Sequence, residues 1–504
     1  MDRPRILARV FEHDGKSHFF DTVTSHLYEC DEVVAAVIPH LDRLGETHIR
    51  EELDRRWGAD RVDTALAAIK ELRGETGALT PTRLEIVSLS PLRYDPAKYK
   101  DQIRHLQMTI SEQCNQRCEY CPYTRGRSGS RRHRDVYMSV ETALAAVDFF
   151  MSHCAAVEKP AISFYGGEPL LNFKVIQAAT ARIRGHSGGE RFQLLINTNG
   201  VAIDERIARF LVEERFNVQL SLDGPAHIHD RYRKTTAGGG SHARVVVGLE
   251  RLLAVDPEFH SHITFNAVQA PPYALSEVVD YFVNFPSYRK FGITAPPAAS
   301  MDSADLSHMD FPQVPDPHGQ SPTFSEALEP LEKLYKAECA AGRHDEMHPI
   351  LRSLFDLDLV GYYHRPRSPL TTDPFCPTGA CQPGQRKLHV RADGAFLPCE
   401  RGNDYMTIGH VNSGIDLKAV EDLYRRMVAC VAERCRGCWA VRRCSTCFIH
   451  MSVSWGQDGA GDIEIPEAVC AGARRSAEYA HKLYLSLEKS GPQAHEWLKK
   501  TEVK

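Results

Sequence analysis

The chain has no run of about 18 uncharged apolar residues, which argues against a membrane-spanning helix. Its opening, MDRPRILARVFEHDG, lacks the apolar centre of a secretory signal, so the expectation is a soluble, cytoplasmic protein. Little charge of one sign is in excess. Sixty-one Lys plus Arg against 66 Asp plus Glu leave −5, which offers no global field for nucleic acid. Internal repeats and low-complexity tracts are also missing, which excludes solenoids and arrays. With 42% hydrophobic, 9% aromatic and 25% charged residues, the composition is that of a folded globular protein. A length of 504 residues fits roughly three or four domains of about 100–200 residues, or fewer if one is a barrel.

What is abundant is cysteine, fifteen in all. Cys30, Cys154 and Cys339 are scattered; Cys114, Cys118 and Cys121 lie together; nine more fall between Cys376 and Cys470. In a long chain without an export signal, such short spacings point to metal or iron–sulfur ligation rather than to disulfides.

Residues 1–95 read as a small α+β unit. Apolar stretches Arg5–Phe11 and Ser17–Val23 flank the turn signal Asp14-Gly15, and amphipathic segments Glu32–Leu41, Thr47–Trp57 and Asp60–Leu72 follow. A hairpin with three short helices predicts a winged helix. Arg50, Arg55 and Arg56 sit among Glu51, Glu52 and Asp54, so the unit does not look like a DNA reader; its strand edges suit an added peptide strand. From about 104 to 310, strands and helices alternate. Leu106–Ile110, Ala161–Phe164, Phe192–Ile196, Val218–Leu222, Ile263–Val268 and Phe291–Ile293 read as buried strands, with helices such as Val140–Met151, Asp204–Val212 and Ala243–Leu253 between them. The fold class is α/β, a partial or full barrel of six βα repeats with its site at the carboxyl ends of the strands. Those ends carry Gly166-Gly167-Glu168-Pro169, Thr198-Asn199-Gly200 and Ser221-Leu222-Asp223-Gly224. A linking region (311–370, with a helix near 323–341), a cysteine-rich domain (371–480) and a helical tail (481–504) complete the chain.

Cys114-x3-Cys118-x2-Cys121 directly follows the first barrel strand. Three thiolates at this spacing can hold three irons of a 4Fe–4S cube and leave the fourth without a protein ligand. With GGEP after the second strand, the pattern resembles the radical S-adenosylmethionine (SAM) enzymes. The resemblance implies that SAM chelates the open iron and is cleaved to a 5′-deoxyadenosyl radical. It implies SAM contacts from Tyr120, Gly166, Gly167, Glu168, Pro169, Asn199, Ser221 and Asp223, with Arg233 (or Arg231) facing the carboxylate.

The later cysteines resemble the SPASM extension of peptide-modifying members of that family, which carries two auxiliary 4Fe–4S clusters. The resemblance assigns Cys376, Cys381, Cys399 and Cys447 to one and Cys435, Cys438, Cys444 and Cys470 to the other, with Gly384 fitting the pattern. The last pair, Cys444-x2-Cys447, is one residue shorter than the family often has, which leaves Cys447 or a neighbour to close the first auxiliary site. Cys30, Cys154, Cys339 and Cys430 remain as ordinary thiols. The amino-terminal unit is similar to the leader-recognition element of maturases of ribosomally made peptides. The implied function is modification of a precursor peptide, its leader held by residues 1–95 and its core crosslinked from cysteine sulfur to carbon. Implied cofactors are SAM and three 4Fe–4S clusters, with a reductant such as flavodoxin or ferredoxin and neither nucleic acid nor membrane as partner. No catalytic acid or base is named. Alternatives are carbon–carbon crosslinking, epimerisation, fragment excision or formylglycine-generating sulfatase maturation, and, outside enzymes, a zinc or iron–sulfur winged-helix regulator.

Overall fold

Asp14 and Gly15 turn the chain with φ of 48° and 73°, the left-handed pair that a tight hairpin needs. They join β1 (Ala8–His13) to β2 (Lys16–Asp21), and β3 (His26–Cys30) adds antiparallel on the far side of β2. The computed structural model describes residues 4–42, 45–87, 89, 94–121, 123, 132–284, 291–295, 323–367, 370, 381–444, 446–455 and 461–501. Three helices follow: α1 (Glu32–Val37, capped by Asp31), α2 (Glu46–Trp57) and α3 (Ala59–Thr76). Phe19 of the sheet packs with Val33, Val37, Ile49, Val62 and Ile69. β3 was not expected, because HLYEC carries only two large apolar residues. Its outer side pairs with no strand among the described residues.

All six expected barrel strands are present and parallel: β4 (His105–Ser111), β5 (Ala161–Gly166), β6 (Gln193–Thr198), β7 (Asn217–Ser221), β8 (Ile263–Asn266) and β9 (Gly292–Thr294). Between them run α4 (Val140–Ser152), α5 (Phe173–Arg184), α6 (Glu205–Glu213), α7 (Ala226–Tyr232), α8 (His242–Val255) and α9 (Leu275–Asn284). Strand alternation sends Met108, Ile110, Ile162, Phe164, Ile196 and Leu220 into the helix layer with Val147, Phe150, Ile176 and Leu249. The opposite, concave side is polar.

The linking region is more ordered than expected: α10 (Phe324–Ala340) and α11 (Pro349–Tyr363) occupy most of its described part. β10 (Leu388–Val390) then pairs parallel with β4, so the barrel is partial and its sheet runs on into the cysteine-rich region. The expected turn at Asp393-Gly394 joins β10 to β11 (Ala395–Leu397), and β12 (Gly409–His410) and β13 (Gly414–Ile415) complete a ten-stranded sheet. After α12 (Leu417–Arg436) and the hairpin of β14 (Ser452–Trp455) with β15 (Gly461–Glu464) comes α13 (Glu467–Lys489), and α14 (Glu496–Lys500) ends the described chain. α13 runs without a break through position 481, so no domain boundary falls there; Ala480, Leu483, Tyr484 and Leu487 are buried along it. The amino-terminal sheet docks on this helix. Phe11 and Phe20 pack on Leu485, and Arg365 Nε donates to Ser25 O at 2.9 Å. Among the described residues no helix is long and apolar enough to cross a membrane.

Candidate active site

The chain leaves β4 at Ser111 and enters the three-cysteine loop at once. A short ladder ties this loop to the end of α7 and the segment after it: Arg117 N donates to Lys234 O (2.8 Å), Glu119 N to Tyr232 O (3.1 Å) and Thr236 N to Asn115 O (3.1 Å). The Arg117 guanidinium closes the loop on itself, with Nη1 on Cys114 O (2.6 Å) and Gln116 O (2.7 Å) and Nη2 on Gln113 Oε1 (2.9 Å). Cys114 and Cys118 are buried and Cys121 half-buried. Burial pushes the Cys114 thiol up to about 12 and Cys118 higher still, and each of the two is raised further by Cys121 nearby. Two amide donors reach the Cys114 sulfur, Gln116 N at 3.4 Å and Asn199 Nδ2 at 3.6 Å. Adjacent buried thiols that stay neutral alone, with amide donors that favour their anions, fit a metal cluster, which takes them as thiolates. Among the described residues no three His, Cys, Asp or Glu side chains close on a single ion. Thiols of an iron–sulfur cube sit on separate irons, farther apart than ligands of one ion.

GGEP proves to be a clasp for that loop. Gly166 has φ 134°, and a Cβ there would lie 2.2 Å from Ser111 O; one on Gly167 would lie 2.4 Å from Gln113 O. The close approach lets Gly167 N donate to Ser111 O (2.7 Å) and Glu168 N to Gln113 O (2.9 Å). Glu168 is fully buried, and its carboxylate accepts from Thr198 Oγ1 (2.7 Å), Asn199 N (2.8 Å) and Leu170 N (3.1 Å). Burial still pushes it up to about 7, so a ligand ammonium beside it would favour the ionised form. Pro169, also buried, opens a single 3₁₀ turn, Pro169–Asn172.

The fourth strand supplies a buried ion pair. Arg233 Nε and Nη2 donate to Asp223 Oδ2 (2.8 Å) and Oδ1 (3.1 Å); Val268 N and Tyr120 Oη also donate to that carboxylate, at 2.9 and 2.5 Å. The Arg233 guanidinium lies 5.4 Å from the Tyr120 ring centre. The fork expected to face a ligand carboxylate therefore holds a protein carboxylate in this structure, while Arg231 Nη1 donates to Pro272 O at 3.2 Å. Ser221 ends β7 opposite Asn266. Behind the pair runs a relay not expected from the sequence. Asp223 N donates to His229 Nδ1 (3.3 Å), His229 Nε2 faces Ser241 Oγ (2.9 Å), and Ser241 Oγ donates to Arg233 O (2.9 Å). Burial holds His229 well below its ordinary range, which keeps it neutral. The one available signal was the four-residue spacing of His229 and Arg233 on a helical turn.

The fourteen described cysteines are all free thiols, and Cys376 lies outside the described residues. Two groups form in the carboxyl-terminal region. Cys399 and Cys381 both raise Cys447, which burial already lifts to about 12. Cys444, Cys438 and Cys470 do the same for Cys435, also at about 12. Cys444 and Cys447, three residues apart, thus face different groups. Gly384, at φ 75°, would press a Cβ to 2.7 Å from the Ile408 side chain. Cys430 stands apart, its Sγ on Ile463 O at 3.0 Å, and Cys154 and Cys339 are fully buried.

Residues 108–268, the strands and loops that build this arrangement, match the model of the Radical SAM superfamily. This part of the chain is a radical SAM domain. A radical SAM cyclopropyl synthase of Paramaledivibacter caminithermalis is 28% identical over 201 residues, 37% of this chain and 40% of that protein. A serine-type anaerobic sulfatase-maturating enzyme of Bacteroides thetaiotaomicron is 26% identical over 158 residues, 31% and 38% respectively. The chain thus spans about two fifths of the length of each of these relatives. Among solved structures, native anSMEcpe with bound AdoMet is 19% identical, covers 79% of this chain and 100% of its own, and has a TM-score of 0.56, a likeness of fold. The radical SAM domain is joined on one side to the βββααα unit and on the other to the cysteine-rich region.

Proposed function

We propose that the chain is a radical SAM maturase that modifies a ribosomally made peptide, with SAM and three 4Fe–4S clusters as cofactors. Cys114, Cys118 and Cys121 would hold the first cluster. Cys376, Cys381, Cys399 and Cys447 would hold the second, and Cys435, Cys438, Cys444 and Cys470 the third. When bound, the first cluster supplies the electron that splits SAM and so provides the radical that takes hydrogen from the peptide. The chain's own residues prepare the ground for this. Glu168, pinned by three donors, offers a carboxylate for the amino group of SAM. Ser221, Asp223 and Tyr120 would border its nucleoside, and Arg233 fixes Asp223 by its fork. Asn199 donates to Cys114 Sγ and steadies a thiolate there.

The observation that carries this reading is three adjoining thiols on one loop, two buried and one half-buried, at the carboxyl end of the first strand of a parallel sheet, locked to a buried carboxylate on the second. For substrate class, the amino-terminal sheet presents β3 as an outer strand, the feature to which a leader segment adds by main-chain hydrogen bonds. The favoured product is a cysteine sulfur-to-carbon thioether, and flavodoxin or ferredoxin is the reductant class.

Iron and sulfide content after anaerobic reconstitution tests the reading. About twelve irons per chain are expected for three 4Fe–4S clusters, and Cys114, Cys118 and Cys121→Ala together should remove about four of them. Unchanged iron in that variant contradicts the assignment. Slower hydrogen exchange along β3 on adding a co-expressed precursor peptide would support the recognition role; unaltered exchange there opposes it.

A further inference from the structure

The concave side of the sheet carries polar side chains that none of the roles above uses. Gln107 and Thr109 of β4 share it with His389 of β10, which stands opposite Gln107 in the parallel register. His389 Nε2 and Thr109 Oγ1 are 3.0 Å apart with both residues buried, and Gln107 Oε1, on a residue 4% exposed, has no hydrogen-bond partner. The His389 ring meets Tyr165 of β5 edge-on at 6.2 Å. Thr109 and His389 line a shallow cleft that opens to solvent. Its lining also includes Glu112 and Tyr123, which flank the three-cysteine loop, and Arg391 and Asp404, from the segment that carries Cys399.

Charge decides what such a cleft suits. Its ionic groups are paired and open to water: Glu112 accepts both Nε (2.6 Å) and Nη2 (3.0 Å) of the half-exposed Arg134, and Arg391 is shared by Asp404 and Asp393 (2.9 Å), both half-exposed. A charged guest that reached Thr109 and His389 would lose its hydration and meet only a hydroxyl, an imidazole and an amide there, with the nearest carboxylates already paired and solvated. A purely apolar guest would leave the hydroxyl, imidazole and amide of the floor with less hydrogen bonding than water gives them. An uncharged polar group, which both donates and accepts, meets neither cost.

We propose that this cleft seats an uncharged hydroxyl- or amide-bearing side chain of the substrate peptide, recognised by Thr109 and His389. The inference rests on the peptide-modifying reading and adds a specificity to it. Thr109 and His389 are specificity-determining residues here, placed between the three-cysteine loop and the Cys399 segment.

N-acetyl-threonine amide and its isostere N-acetyl-valine amide are suitable probes, titrated into the full-length reconstituted protein with ¹⁵N-histidine resonances as the readout. The His389 signal, identified by its loss in His389→Gln, should respond to the threonine amide at concentrations at least about tenfold lower than to the valine amide, the cost of one unmade buried hydrogen bond. Thr109→Val, which keeps the volume and removes the hydroxyl, should bring the two probes within about threefold. His389→Gln keeps hydrogen-bonding capacity, so the preference should survive when followed through the other histidines. Equal response of the wild type to both probes overturns the proposal, and so does a preference that Thr109→Val leaves unchanged. Release of 5′-deoxyadenosine by the same preparation is read separately. A preparation that cannot cleave SAM but keeps a polar-selective cleft contradicts the enzyme reading and supports the cleft.

Discussion

The Cys114–Cys121 loop and the cysteines beyond Cys381 offer the same kind of ligand on two kinds of scaffold. The first is held by the polypeptide itself: a three-bond ladder to residues 232–236, the Arg117 fork, the glycine contacts of Gly166 and Gly167, and the carboxylate of Glu168. In the second, Cys435 lies at the end of α12 and Cys470 in the first turn of α13, with Cys438 and Cys444 on the connection between them. The main-chain bonds seen on this connection are local ones, such as Cys438 N to Cys435 O (3.2 Å), and side chains make the longer-range ties, Arg434 to Glu467 (3.1 Å) and Arg442 to Pro366 O (3.0 Å). The difference, a main-chain ladder in one region and side-chain ties in the other, predicts that the first loop keeps its shape with or without a bound group, whereas order in the second depends more on what its thiols bind.

The harshest way to break the comparison is to attack the prebuilt side. Arg233→Leu strands the Asp223 carboxylate in the interior, and denaturant unfolding should show a loss of about 3–5 kcal/mol. A loss below about 1 kcal/mol would mean that the pair does not organise the site. Next, replacing Cys435, Cys438, Cys444 and Cys470 by Ala should speed amide exchange in the first turns of α13 by roughly 30–100-fold. The ladder amides of Arg117, Glu119 and Thr236 should hold to within about threefold. Equal loosening of both regions would erase the distinction.

A gentler probe is Glu168→Gln, tested without SAM. Its carboxyl is pushed up from 4.5 to about 7, so the folded chain binds its proton more tightly than the unfolded chain does. Stability therefore falls as pH rises from about 4.5 through 7. Gln mimics the neutral form but turns an amide group toward donors, a cost of about 1–2 kcal/mol near pH 5. That deficit should shrink towards pH 8, and a deficit that grows with pH would refute the assignment. The smallest effect belongs to Cys430→Ser, which should change stability by less than about 1 kcal/mol and leave iron content untouched. A loss of iron would bring Cys430 into a ligand set.

Much of the barrel was legible because alternating strands and helices with apolar cores leave a strong periodic record, and all six expected strands are present. The cysteine motif and GGEP were legible as chemistry, yet the reason for two glycines lies in two carbonyls, Ser111 O and Gln113 O, from a distant stretch. β3 was hidden by its polar alternation. β10 was hidden because three residues joining a sheet across some 280 positions leave no local pattern. The His229–Ser241 relay was invisible for the same reason: buried polar partners are chosen by tertiary geometry, which spacing alone does not encode. Cys435 and Cys470 were paired by resemblance, and the helix ends that bring them together explain why it is physically reasonable.

The most direct test of the central claim is 5′-deoxyadenosine release by the reconstituted, reduced protein given SAM. The wild-type chain should release it, and so should the variant lacking Cys435, Cys438, Cys444 and Cys470, whereas Cys114, Cys118 and Cys121→Ala should fall to background. Release by that last variant at the wild-type rate would contradict the account.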